Sequence, residues 1–268
     1  MPYTGALAGA ALKPLRMPRN PQIPCGIRAL VRWPPPTPSS SLLIIGSLVL
    51  AISSQAGLRP EGLAIACAAA AATLASYGRL YLSTSSRRPR PDVAALSLAL
   101  SPYAAALALE GPRLLVWYAA PVAAFSLYMA LSALGRGRSP AALAAGSASL
   151  SLLSLAFSGV LGSPLPRSIP ESAAWASLAT SEVLLVECRL GRAPRFLPFA
   201  LLSAGLASSI AVHPLAVAFV DPLYLALRYS GRPADAGSLR AFGRRLALSS
   251  ALSLALLAAS PPLLGLLR

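Results

Sequence analysis

The chain reads as an all-α, polytopic integral membrane bundle of about nine crossings, with eight as the smaller count. Three features carry that reading. Of 268 residues, 56% are hydrophobic and 12% charged, with a mean hydropathy of +0.65, whereas ordinary soluble domains carry roughly 25% charged residues. Apolar runs near the ~20 residues that cross a bilayer recur along the chain, with Pro, Gly, Arg or Ser at their borders. The gaps between those runs alternate between cationic and neutral.

Residues 1–38 stand apart from the rest. MPRNPQIPCGIRALVRWPPPTPSS is proline-rich and basic, and such a composition lacks the apolar surface to build a core. It is expected to be a disordered or surface-lying amino-terminal arm, ahead of a single transmembrane helical domain over 39–268.

The crossings follow in order. The first five are expected at Ser39 to Ala56, Gly62 to Leu82, Val93 to Leu109, Leu114 to Leu134 and Ala141 to Leu161. The sixth runs from Ile169 to Glu187, the seventh from Phe196 to Val212, the eighth from Leu215 to Arg228, and the ninth from Leu239 to about Ser260. Gly, Ala and Ser dominate within them, as in AIACAAAAATLAS (64–76), which suits close approach of packed helix backbones. The sixth has a readable start, because Ser168-Ile-Pro-Glu171 has capping-box spacing with proline in the first turn. The ninth is expected to end at Pro261-Pro262, leaving an interfacial tail.

The stretch 196–229 is too long for one straight crossing and barely long enough for two, at ~1.5 Å per residue across ~30 Å of hydrocarbon. A break at His213-Pro214 divides it into a tilted, partly re-entrant pair. With that break, the arm and every second gap hold 19 of the 23 cationic residues, leaving Arg59, Arg113, Arg167 and Arg268 for the other side. The positive-inside rule then puts the amino terminus in the cytoplasm and the carboxyl terminus outside, in a cell membrane.

Several function classes are excluded. The arginines lie in short gaps and not on a patch with interleaved aromatics, so the basic charge does not point to nucleic acid. Cys25, Cys67 and Cys188 are odd in number and far apart, which supports neither a disulfide framework nor a thiolate metal site. With His213 as the sole histidine, multi-histidine metal centres are out, and no phosphate-cradling GxxxxGK[ST] occurs. No metal or cofactor is called for.

Eight acidic residues serve the whole chain, yet two of them fall in SEVLLVECRLGR (181–192). Glu187 lies near the cytoplasmic boundary of the sixth helix, where it can snorkel. Glu182 lies about 7.5 Å deeper, turned about 140° away. A central acid costs on the order of 2.5 to 3.5 kcal/mol on an insertion scale, which cancels most of the apolar residues of its own helix. Asp221 poses the same problem in the eighth helix. Glu182 and Asp221 are therefore expected to line a polar cavity open to the cytoplasm, its mouth formed by Glu187, Arg189, Arg192, Arg195 and Arg228. The structural alternatives are that Glu182 pairs with an arginine of a neighbouring helix or stays protonated, and that Asp221 merely decorates a kink at Pro222.

Two further constellations bear comparison with known families. AFSG (156–159) and His213 both fall near the outer surface, and a Ser158–His213 dyad resembles the serine and later histidine of the rhomboid proteases. Here Ala156 replaces the first glycine of that motif. The nine-helix layout with the amino terminus inside resembles the intramembrane prenyltransferases of the UbiA type. That likeness implies Asp-rich motifs in STSSRRPRPD (83–92) and CRLGRAPR (188–195), of which Asp92 alone matches. The sequence thus predicts a transporter or binder of a small solute, proton or lipid, with the bilayer itself and anionic headgroups as partners. The alternatives are a lipid-modifying membrane enzyme and a scaffold without chemistry.

Overall fold

Proline and glycine set most of the helix borders. In the computed structural model, residues 38–55, 57, 59–85, 91–210, 213–230 and 236–266 are described, and they form nine α-helices. These are α1 (Pro38–Ser53), α2 (Pro60–Thr84), α3 (Val93–Glu110), α4 (Leu115–Ala133), α5 (Pro140–Leu161), α6 (Leu165–Arg189), α7 (Phe196–Ile210), α8 (Val220–Tyr229) and α9 (Ala236–Leu266). A 3-10 turn, Pro112–Leu114, leads into α4, and a longer 3-10 segment, His213–Phe219, joins α7 to α8. Proline occupies the first turn of α2 and α5, where its missing donor costs nothing. Gly162 closes α5 in the left-handed conformation at φ +84°. Residues 1–37 of the predicted arm lie outside the described residues, and its last, Pro38, opens α1.

Each predicted run does contain a helix, but nine crossings is not what the helices support. Five are long and apolar enough to cross a membrane: Pro60–Thr84, Val93–Glu110, Pro112–Ala133, Pro140–Leu161 and Ser238–Ala259. The stretches Ser39–Ser53 and Phe196–Ala207 are apolar but short. The sixth helix has length enough, but Arg167, Glu171, Glu182, Glu187 and Arg189 interrupt its apolar character. The eighth has 10 residues, about 15 Å of rise, half a hydrocarbon core. The chain is therefore a multi-pass, all-α membrane protein with about five candidate transmembrane helices.

Two borders differ from expectation for local reasons. The sixth helix starts at Leu165, a turn before Ser168, whose hydroxyl donates back to Pro164 O at 3.3 Å and does not form the predicted capping box. Proline at 170 is thus inside the helix. The ninth helix runs through Pro261-Pro262 to Leu266, so the predicted tail continues the helix. By contrast, α7 ends at Ile210 and the 3-10 segment begins at His213, close to the expected break.

Neighbouring helices run antiparallel. Arg79 meets Asp92 and Thr73 meets Tyr103 across α2 and α3; Pro121 meets Ser149 across α4 and α5; Ser154 meets Ser172 across α5 and α6. Helix α1 runs parallel to α5, its Ser47 hydroxyl 3.0 Å from the carbonyls of both Leu150 and Ser151 and accepting from Trp175 Nε1 at 3.2 Å. Small residues set the closest approaches. A Cβ on Gly159 would lie 2.8 Å from Trp117 Cβ, and one on Gly205 would lie 2.7 Å from the Phe219 ring. Trp175, Leu178, Leu202, Phe219, Leu225 and Leu257 build one core among α6 to α9, while α1, α2 and α5 share a second around Ile44 and Phe157.

Candidate functional site

The carboxylate of Glu182 projects from α6 toward α9. Its Oε2 lies 2.5 Å from the Ser250 hydroxyl, while its Oε1 is buried with no hydrogen-bond partner. The Ser250 hydroxyl is also 3.0 Å from Leu246 O, one turn back in its own helix. A hydroxyl has one proton to give and two lone pairs, so Ser250 bonds either the carboxylate or the carbonyl. Asp221 lies in the first turn of α8. The partner of Glu182 is a hydroxyl of α9, not the arginine of the structural alternative.

The expected mouth is arranged otherwise. Arg189 is 6% exposed; its guanidinium lies 4.4 Å from the Phe242 ring centre and 5.4 Å from that of Tyr229, and reaches Ser238 Oγ at 3.4 Å. Desolvated against two rings, it ties α6 to α8 and α9. Glu187 does not snorkel: it is 4% exposed, with Arg192 at 3.8 Å. Arg192, Arg195 and Arg228 are exposed. Arg228 donates to Tyr224 Oη at 2.5 Å and stacks at 5.6 Å on Tyr229. Of the seven predicted residues, the structure sets Glu187 next to Arg192 and encloses Arg189 in the helix ends.

Sequence reasoning missed Ser250 and the Tyr229–Phe242 clamp. The signal for Ser250 was present in LSSALSL (248–254), where serines recur among leucines, but nothing local separates a serine facing an acid from one bonding its own helix. The clamp depends on residues 40 to 53 positions from Arg189, which only the fold brings together.

Ser158 is buried near the end of α5, whereas the segment that carries His213 packs on α7 and α9; the His213 side chain lies outside the described residues. Asp92 caps α3, accepting from Ala95 N at 3.0 Å, and accepts from Arg79 Nε at 2.8 Å. Ala95 N–H, working with the Arg79 guanidinium against partial desolvation, holds the Asp92 carboxyl below the usual carboxylate range. Its lone pairs serve a helix cap and an ion pair, not a magnesium site. Among the described residues, no group of three or more His, Cys, Asp or Glu side chains is placed to hold a metal.

A cavity of about 410 Å³ lies elsewhere, among α1 to α5, with Val183 of α6 in its wall. None of the seven predicted residues lines it. Glu182 itself is in close contact with Ser250 of α9. No protein-family model matches the chain, and no curated protein or solved structure matches it.

Proposed function

We propose that this protein moves or binds a small solute across or within the membrane, with Glu182 as the proton or cation site and Asp221 as its electrostatic neighbour. One observation carries the reading: a carboxylate inside a membrane bundle with one oxygen on Ser250 and the other unpartnered. Such groups are costly to bury and are associated with proton relays and ion pathways.

The Ser250 geometry supports two complete hydrogen-bond states. With Glu182 ionised, Ser250 donates to Oε2. With Glu182 protonated at Oε2, that O–H donates to Ser250 Oγ, and the serine proton turns to Leu246 O. One proton is gained and no bond is left broken, so loading and unloading require only rotation of a hydroxyl. Exposed Arg192, Arg195 and Arg228 add positive potential at the arginine-bearing helix ends, which attracts anions or anionic headgroups. In this reading α1 and α6 cross along with the five candidate spans and the α7–α8 pair dips back, so that those ends are cytoplasmic, with the amino terminus inside and the carboxyl terminus outside.

The experiment is proton flux in proteoliposomes under an imposed pH gradient, read by an entrapped pH-sensitive dye. Flux in the wild type, lost in Glu182→Gln with folding intact, is the expected result. Equal flux in the wild type and Glu182→Gln would overturn the assignment.

A further inference from the structure

The 410 Å³ cavity touches α6 only at Val183, about 100° around the helix from Glu182. Five of the eight tyrosines line it: Tyr77, Tyr81, Tyr103, Tyr118 and Tyr128. Phe125 and leucines supply most of the remaining surface, and no acidic, basic or histidine side chain is among its described lining residues. Its size falls within the ~300–1,000 Å³ of small-molecule sites.

Hydrogen-bond accounting identifies what is left over. Tyr103 Oη pairs with Thr73 Oγ1 at 3.2 Å, Tyr128 Oη with Thr84 Oγ1 at 2.6 Å, and Ser149 Oγ donates to Pro121 O at 3.2 Å. Tyr118 Oη and Ser147 Oγ are buried without a partner, and their residues are 9% and 6% exposed. Unpaired buried hydroxyls are costly, so these two, on α4 and α5 at residues that line the cavity, are the hydroxyls with a bond left to give.

The entrance is lateral. Helices α3 and α4 meet near the 3-10 turn that joins them, where the Tyr103 ring lies edge-on to that of Tyr118 at 5.8 Å and Ala106 shares a core with Trp117; away from that end α3 packs on α2 and α4 on α5. Leu100 and Val122 edge the gap and are 47% and 53% exposed. Both helices are among the five candidate spans, so the slot opens toward hydrocarbon and not toward water.

We infer that this cavity binds a neutral single-chain lipophile that enters from the bilayer between α3 and α4. Its apolar body lies against the tyrosine and phenylalanine rings, and an oxygen that accepts a hydrogen bond meets the free hydroxyl of Tyr118 or Ser147. A charged headgroup would be desolvated with no counter-ion. A quaternary ammonium would find ring faces but no carboxylate. The site is separate from the proton site, because Val183 lines the cavity while its neighbour Glu182 contacts Ser250 of α9.

The test uses the full chain in phosphatidylcholine nanodiscs with a hexadecanol probe carrying a mid-chain diazirine. Photolabelling should saturate, map to α3 and α4, and be competed by hexadecanol but not by palmitate or hexadecyltrimethylammonium. Tyr118→Phe combined with Ser147→Ala should raise the half-saturating concentration about five- to tenfold. Val122→Trp, at an exposed position that leaves the core untouched, should abolish saturable labelling. Glu182→Gln should label like the wild type even where it loses proton flux. Labelling that does not saturate, that spreads over all lipid-facing helices, that the ammonium compound competes as well as hexadecanol does, or that survives Val122→Trp would overturn the inference.

Discussion

Gly159→Ala tests the packing that holds α4 on α5. A Cβ at position 159 would meet Trp117 Cγ at 2.5 Å, Cβ at 2.8 Å and Cδ1 at 2.9 Å. Ordinary carbon contacts are about 3.5–4.0 Å, so Trp117 or the whole of α4 must retreat by roughly 1 Å. The nearest of these atoms include Trp117 Cβ, which is fixed to the backbone, so rotation of the indole alone does not relieve the clash. Overpacking of this kind costs about 1–3 kcal/mol. Trp117→Ala alone removes a large buried side chain, at about 3–5 kcal/mol. In the double variant the added methyl enters the space the indole has left, so the two costs should fall short of their sum by about 1 kcal/mol or more. Reversible unfolding in detergent, followed by circular dichroism so that loss of a tryptophan does not disturb the signal, measures all four proteins of the cycle. Strict additivity, or a neutral Gly159→Ala, would refute the argued contact and with it the position of α4 beside the cavity.

Ser250→Ala should destabilise the protein by about 1–3 kcal/mol, since it strips Glu182 of its hydrogen-bond partner; in a Glu182→Leu background the same substitution should cost much less, and equal costs in unfolding titrations would contradict the pair. Arg189→Lys should lose about 1–2 kcal/mol despite keeping its charge, because a lysine lacks the planar group that stacks on Phe242 and Tyr229; thermal melts of the two proteins decide it. Asp92 has a lowered pKa when folded, so its contribution is complete above the ordinary carboxylate range and is lost as pH falls through the depressed folded value. The stability difference between wild type and Asp92→Asn should therefore shrink on acidification, and a difference that grows would invert the assignment. With Cys25, Cys67 and Cys188 replaced, a cysteine at Arg192 should react with an impermeant maleimide only from the cytoplasmic face and one at Arg113 only from outside; the reverse pattern would overturn the orientation.

Helix positions were legible from the sequence because their causes are local. Pro60, Pro140 and Gly162 mark borders by their own backbone chemistry, and apolar runs between arginines need no partner to be recognised. The membrane class followed for the same reason, since composition alone decides whether a helix prefers lipid. How many helices cross was less legible: a run of hydrophobic letters does not show that α8 is 10 residues long or that the five ionisable residues of α6 weaken its claim on the bilayer. The importance of Glu182 was readable as an energetic cost, but its partner was not, because Ser250 lies 68 residues away. Arg189 shows the limit most plainly. From sequence it belonged to a solvated mouth, whereas two rings from α8 and α9 enclose it. The cavity could not be read at all, for it exists only where α1 to α5 pack around it and where tyrosines from three separate helices converge. Local preferences write the helices into the chain; pockets, clamps and buried partners arise from which faces meet, and that is settled by packing among residues far apart in sequence.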